Sequence, residues 1–180
     1  TGRVIAGVSC RIVDDAGAEL PRDGVAVGEF QCRGPWVTGG YHKVLDSDRF
    51  EDGWLRTGDV GTLDALGFMQ IKDRAKDLIK SGGEWISSVT LETALVAHPA
   101  VFEAAVIAIP DERWQERPLA VVVWNDGAEA DYDVLRRHLL DHVPRWQVPE
   151  SWATADGIPR TSVGKFDKRT MRQQYAEGSR

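Results

Sequence analysis

The hydrophobic period changes near residue 74, and that change limits what this chain can fold into more than any other feature. Before it the text is written in short strands. Val8, Cys10 and Ile12 stand out at a period of two, and Glu29 to Arg33 alternates cleanly before Gly34-Pro35. Turn text separates these pieces at Asp14 to Gly17, Pro21 to Gly24 and Gly39-Gly40. Asp52-Gly53 predicts a hairpin, and two further strands are expected over Val60 to Leu63 and Phe68 to Lys72. After residue 74, helices and strands mix. Ser88 to His98 predicts a helix stopped by Pro99, and Asp131 predicts the N-cap of a second helix running to Val143 before Pro144. Phe102 to Ile109 and Leu119 to Trp124 read as strands, the second nearly uninterrupted and therefore central. A last helix is expected from Lys165 to about Tyr175. The class is α+β: a strand-rich, barrel-like or sandwich-like piece, then a small α+β domain, with the boundary near residues 73 to 77.

Composition removes several classes of function. The 180 residues carry a net charge of −6, which argues against a general binder of nucleic-acid backbone. The longest apolar runs, Ala104 to Ile109 and Leu119 to Trp124, fall far short of the roughly 18 to 20 residues of a membrane span. No basic and apolar secretory leader opens the text. Cys10 and Cys32 suit a reducing compartment, and a single disulfide between them stays open. The opening residues are already patterned, so the chain is expected to be a piece of a longer polypeptide.

Five constellations invite chemistry. His138 and His142 have the i, i+4 spacing of a zinc site, but Leu139 stands where the HExxH pattern needs Glu, and a solvated helix face is the expectation. Gly157 and Gly164-Lys165 fail as a phosphate loop, because six residues separate the glycines and Phe166 replaces the hydroxyl residue. Asp59, after Gly58, has the chemistry to accept both hydroxyls of a ribose. Taken by itself, this tetrapeptide reads more simply as a turn aspartate. Arg74, Lys76 and Lys80 run into Ser81-Gly82-Gly83, text that suits an anionic ligand approached by backbone. The alternative is cations paired with Asp73 and Asp77. Lys165, framed by Pro159 and Gly164, either stabilises a developing oxyanion or begins a basic helix. The seven tryptophans read as core or interface.

In order, five segments resemble the adenylate-forming superfamily, and within it the fatty-acyl-CoA synthetases. They are Gly28-Glu29-Phe30 through Gly40-Tyr41; Asp52 to Asp59; Asp73 to Ser87; His98 to Val101; and Pro159 to Lys165. Gly83-Glu84-Trp85 and Trp114 to Pro118 look most like medium- to long-chain acyl-CoA ligases. The resemblance covers almost the whole chain. It implies residues 1–73 as the barrel-like end of a large N-terminal AMP-binding domain, 74–77 as a hinge, and 78–180 as a mobile C-terminal domain. It also implies that the phosphate loop, the acyl pocket and the magnesium ligand lie in a missing N-terminal domain, with no metal ligand in this chain.

By the same resemblance, Asp59 binds ribose, and Arg74, Lys76, Lys80 and Trp85 lie near the nucleotide. Lys76 is the hinge residue, Gly82 and Gly83 line the CoA channel, and Lys165 is the catalytic lysine of the first step. The implied co-substrates are a fatty acid or similar carboxylate, ATP with Mg²⁺, and CoA. The implied location is cytoplasmic or peripheral to a membrane. Such a piece alone is expected to be inactive. Two rival expectations are an acyl-AMP ligase that loads a carrier protein and a non-catalytic binding module. One departure stands out: Trp114-Gln115 occurs where many relatives have Trp-Gly.

Overall fold

The computed structural model describes residues 2–43 and 48–178. It divides into two compact units, Thr1–Lys76 and Asp77–Arg180.

The first unit is a curled antiparallel sheet. Its strands are β1 (Gly2–Arg3), β2 (Ser9–Val13), β3 (Val27–Arg33), β4 (Phe50–Glu51), β5 (Trp54–Leu63) and β6 (Phe68–Arg74). They are ordered β1-β6-β5-β3-β2, with β4 paired to β5. Asp52 and Gly53 join β4 to β5 with φ of 49° and 77°, the left-handed pair that a two-residue hairpin turn requires. Cys10, Ile12, Phe30 and Leu63 are buried together on one face. The strand expected over Val60 to Leu63 does not begin there. β5 instead runs through Gly58-Asp59 for ten residues, and the pairing slips so that Glu29 opposes Val60 while Gln31 opposes Arg56. The extra residues form a bulge, which keeps the strand continuous while turning its side chains.

In the second unit, β7 (Ile79–Ser81) and β8 (Glu84–Ile86) form a hairpin, followed by α1 (Ser88–Val96), β9 (Val101–Asp111), β10 (Gln115–Trp124), α2 (Tyr132–Leu140), β11 (Ser151–Thr154) and α3 (Lys168–Gly178). β10 is the hub. It pairs antiparallel with β9, parallel with β11, and with β7 at Gln115 and Ser81. Ala104, Val106, Ala120 and Val122 pack with Leu91, Leu95, Leu135 and Leu139 of α1 and α2. Their neighbours Ala105, Ile107, Leu119 and Val123 pack with Ile158 and with Met171 of α3. Both faces of the sheet are covered, which is why its two strands read as continuous apolar runs.

The helix limits follow their caps. Ser87 accepts the Thr90 N–H at 3.2 Å, and Asp131 accepts those of Asp133 and Val134 at 2.8 and 3.2 Å. α2 stops at Leu140 rather than Val143, although Val143 still bonds the Leu139 carbonyl at 2.9 Å and stays buried. α3 starts at Lys168 rather than Lys165. Asp167 accepts the Thr170 N–H at 3.2 Å and so caps the helix two residues beyond Lys165. No helix among the described residues is long and apolar enough to cross a membrane.

Candidate functional site

In the first unit the structure brings Asp59 and Arg74 together. They are cross-strand partners on β5 and β6, and Arg74 Nε donates to Asp59 Oδ1 at 2.9 Å. Arg74 Nη1 also reaches the Thr57 carbonyl at 3.3 Å, and the Ala75 N–H bonds the Gly58 carbonyl at 2.9 Å. The bulge that displays them is fixed from β3. Glu29 takes two hydrogen bonds from Arg56, at 3.0 and 2.8 Å, and one from the Gly58 N–H at 3.2 Å. Thr57 Oγ1 donates to the Phe30 carbonyl at 2.9 Å and accepts the Asp59 N–H at 3.1 Å. Gly58 has φ of 73°, a conformation that costs an L side chain roughly 1 to 2 kcal/mol. Reasoning from sequence quoted Glu29 only as part of a motif. Its work, holding the bulge amide, depends on a register that spacing does not reveal. Lys76 is the exposed last residue of this unit.

The second unit holds the other candidate residues. Lys80, Gly82, Gly83 and Trp85 lie on the β7–β8 hairpin, with Lys80 Nζ 5.9 Å from the centre of the Trp85 ring. The sequence leaves this segment open between an anion-binding stretch and a charge-rich one with its cations paired to Asp73 and Asp77. It is a hairpin because Ile79 and Ile86 are fully buried partners, and Gly82 and Gly83 take φ of 61° and 85° at its tip. Gly-Gly between two isoleucines carried that signal, which the surrounding charges obscured.

The hairpin is held from β10. Glu116 accepts the Lys80 N–H at 2.8 Å, and the Gly82 N–H bonds the Trp114 carbonyl at 2.9 Å. The buried Arg117 donates from Nη1 to Ser81 Oγ at 3.0 Å and to the Trp146 carbonyl at 2.8 Å. The Trp114 ring lies so close over Gly82 that a Cβ there would sit 2.7 Å from Cε3. Gln115 has φ of 72°, a left-handed backbone conformation that glycine would adopt without strain.

Lys165 is exposed on a tight loop before α3. The Thr161 N–H bonds the Lys165 carbonyl at 2.7 Å, and Arg160 Nη1 donates to the Gly164 carbonyl at 2.7 Å. Arg160 is itself anchored by an ion pair with Glu103. The main chain at Lys165 is thus fixed while the residue itself is exposed to solvent.

His138 and His142 do stand together on α2, with ring centres 4.6 Å apart, and His98 is 5.1 Å from His138. His138 Nε2 lies 2.9 Å from the Ala94 carbonyl, so that nitrogen carries the proton. Among the described residues no group of three or more His, Cys, Asp or Glu is placed to hold a metal ion.

Residues 90–165 match the model of the AMP-binding enzyme C-terminal domain. The chain is 52% identical to the long-chain-fatty-acid–CoA ligase of Thermus thermophilus over 97% of its own length and 33% of that relative's. It belongs to the adenylate-forming superfamily. The 3-methylmercaptopropionyl-CoA ligase of Ruegeria lacuscaerulensis is 46% identical over 98% of the chain and 33% of the relative. The structure of ATP-bound MatB from Rhodopseudomonas palustris superposes with a TM-score of 0.83 at 33% identity, over 97% of this chain and 36% of that one. The chain therefore spans about a third of the length of the curated superfamily members it matches, and it corresponds to their C-terminal AMP-binding portion.

Proposed function

We propose that this chain supplies the ribose clamp, the oxyanion lysine and the thiol-acceptor loop of an ATP-dependent fatty-acid–CoA ligase. The observation that carries the reading is the Asp59–Arg74 pair, displayed on a β5 bulge within a sequence 52% identical to a fatty-acid–CoA ligase. In this reading Asp59 accepts the ribose hydroxyls, and Arg74 lies against the nucleotide, with Lys76, Lys80 and Trp85 nearby. A fatty-acid carboxylate oxygen attacks the α-phosphorus of ATP, and the bond to the pyrophosphate oxygen breaks. Lys165 offsets the negative charge that gathers on the α-phosphoryl oxygens. Residues 74–77 form the hinge, with Lys76 absorbing the torsional change, and the C-terminal domain then turns to present Gly82 and Gly83 along the CoA channel. The CoA thiolate attacks the acyl carbonyl carbon, and AMP leaves with its oxygen. The Mg²⁺ that accompanies ATP, the phosphates and the acyl chain would be held by residues outside these 180. The working enzyme is placed in the cytoplasm or at the face of a membrane where its acyl substrates partition.

The test is fatty-acid-dependent pyrophosphate release by the longer polypeptide, with and without CoA, beside this chain alone. Acyl-CoA from the longer protein and no turnover by this chain is the expected result. Acyl-adenylate that builds up while CoA is ignored would transfer the reading to a ligase that loads a carrier protein. No turnover by either would leave a binding module.

A further inference from the structure

The ligase reading leaves the two cysteines unused, yet the sheet places them face to face. Cys10 on β2 and Cys32 on β3 are directly opposed in the antiparallel ladder. Opposed residues in such a ladder alternate between hydrogen-bonded pairs and closer, non-hydrogen-bonded pairs with Cα atoms about 4.5 Å apart. The carbonyls of β2 decide which kind this is. The Cys10 carbonyl accepts from Arg22 Nη2 at 2.9 Å, and the Ile12 carbonyl accepts the Leu20 N–H at 2.9 Å. Both therefore point away from β3, and Cys10–Cys32 is one of the close pairs. Its sulfurs are 3.4 Å apart, and both thiols are free. Disulfides bridge Cα separations of about 4.4 to 6.8 Å, so this pair can close by side-chain rotation with the strands in place.

The two thiols are not equivalent. Cys10 is buried, with Sγ 3.6 Å from Met69 Sδ. Cys32 is partly exposed. The hydrogen bond shared with the Cys10 thiol holds Cys32 below the usual thiol range, against the opposing effects of burial and the Asp59 charge. Cys10 is pushed up by that same hydrogen bond, by burial and by the Cys32 charge. Cys32 is the more accessible of the two sulfurs and so the one placed to meet an oxidant, with Cys10 buried beside it.

We propose that Cys10 and Cys32 form a redox-responsive dithiol that a peroxide converts to a cross-strand disulfide. The Cys32 thiolate attacks one oxygen of hydrogen peroxide and breaks the O–O bond. This leaves a sulfenic acid on Cys32, and the departing hydroxide is protonated to water. The Cys10 sulfur then attacks the sulfenic sulfur, forming the S–S bond, while the sulfenic oxygen leaves as a second water with the Cys10 proton. Two thiols lose two electrons and two protons in all, and one peroxide becomes two waters. A dithiol donor reverses the step. β3 also carries Glu29, which holds the Gly58 N–H of the bulge, so the oxidised pair locks the strand that supports Asp59.

The proposal is tested on this chain without denaturant. It is treated with an equivalent of hydrogen peroxide, its remaining thiols are alkylated, and it is digested without reduction and weighed. The expected result is the loss of both titratable thiols, an intact mass lower by two hydrogen atoms, and a single linked peptide joining Cys10 to Cys32 that dithiothreitol separates. Cys10→Ser is expected to stop at a Cys32 sulfenic acid that dimedone traps, whereas Cys32→Ser leaves Cys10 unmodified at the same dose. Two thiols still open to alkylation would overturn the proposal. So would oxygen added with no linked peptide, links only between chains, or a link that forms only in urea.

Discussion

Arg74 Nε and Asp59 Oδ1 lie 2.9 Å apart across the β5–β6 ladder, and both side chains are open to solvent, at 53% and 28% exposure. An exposed ion pair of this kind stabilises a fold by only about 0 to 1 kcal/mol. Stability is therefore a weak reason for holding these two groups on a bulge that itself needs Glu29, Thr57 and a left-handed glycine. The proposed nucleotide, with its hydroxyls and phosphates, supplies another.

Asp59→Ala in the longer ligase is expected to lower kcat/KM for ATP roughly ten- to a hundred-fold, the scale of a lost hydrogen bond to a charged group. Denaturation of the same variant should fall within about 1 kcal/mol of the parent. An unchanged ATP dependence in steady-state kinetics would remove Asp59 from the nucleotide site.

Lys165→Ala in the longer polypeptide should slow adenylate formation by about 10²- to 10³-fold if, as proposed, its cation meets charge that grows only on the way to the pentavalent phosphorus. Thioester formation from supplied acyl-adenylate should be largely spared. Equal damage to both half-reactions would show that Lys165 acts in more than the first step.

Arg117→Met strips the buried guanidinium from Ser81 Oγ and the Trp146 carbonyl. The orphaned acceptors should cost about 1 to 3 kcal/mol in urea unfolding. If the hairpin serves CoA, single-turnover assays will show the second half-reaction weakened more than the first.

Lys168 Nζ sits 2.6 Å from Glu92 Oε1 and 2.7 Å from Ser88 Oγ, with both charged side chains largely buried. Lys168→Met leaves the carboxylate without its cation and should destabilise the chain by about 3 to 5 kcal/mol. Adding Glu92→Gln should restore part of that loss. A double variant no better than the single one would mean that Lys168 stabilises by packing rather than by charge.

Acid should act through His98. Its Nδ1 accepts the Ala100 N–H at 3.3 Å, a bond only the unprotonated nitrogen can make. Burial first, then the nearby His138, lowers its pKa below the usual value. The unfolded chain therefore binds the proton first, and stability should fall as pH drops from about 6.5 toward the lower folded value. Asp23 and Asp167, whose carboxyls are lowered by backbone hydrogen bonds, add losses only in the more acid carboxylate range. Urea midpoints across this window should decline for the parent and flatten for His98→Gln.

Much of the fold was legible because periodicity and caps are local. Asp131 capped its helix where the text placed it, and the runs around Val106 and Val122 proved to be strands covered on both faces. What stayed hidden depended on partners distant in sequence. Nothing near Gly58 announces that β5 passes through it, because the bulge is set by the register against Glu29 and Gln31. Gly82-Gly83 announces a turn near Lys80, but nothing there announces that Glu116 and Arg117, more than thirty residues away, hold it. Within the candidate site, the surroundings of Asp59 read more simply as a turn and those of Lys165 left two readings open, so their roles were implied only by the resemblance, and the residues that position them were quoted only inside motifs.

The frame of the β7–β8 hairpin bears on how such enzymes change. Glu116 and Trp114 grip the main chain of Lys80 and Gly82, and Arg117 grips Ser81, so the loop keeps its path whatever side chains stand at positions 80, 84 and 85. The path of the tip is thus written in residues 114 to 117 and not in the tip itself, so a change of side chain at Glu84 leaves the contacts that shape the hairpin intact.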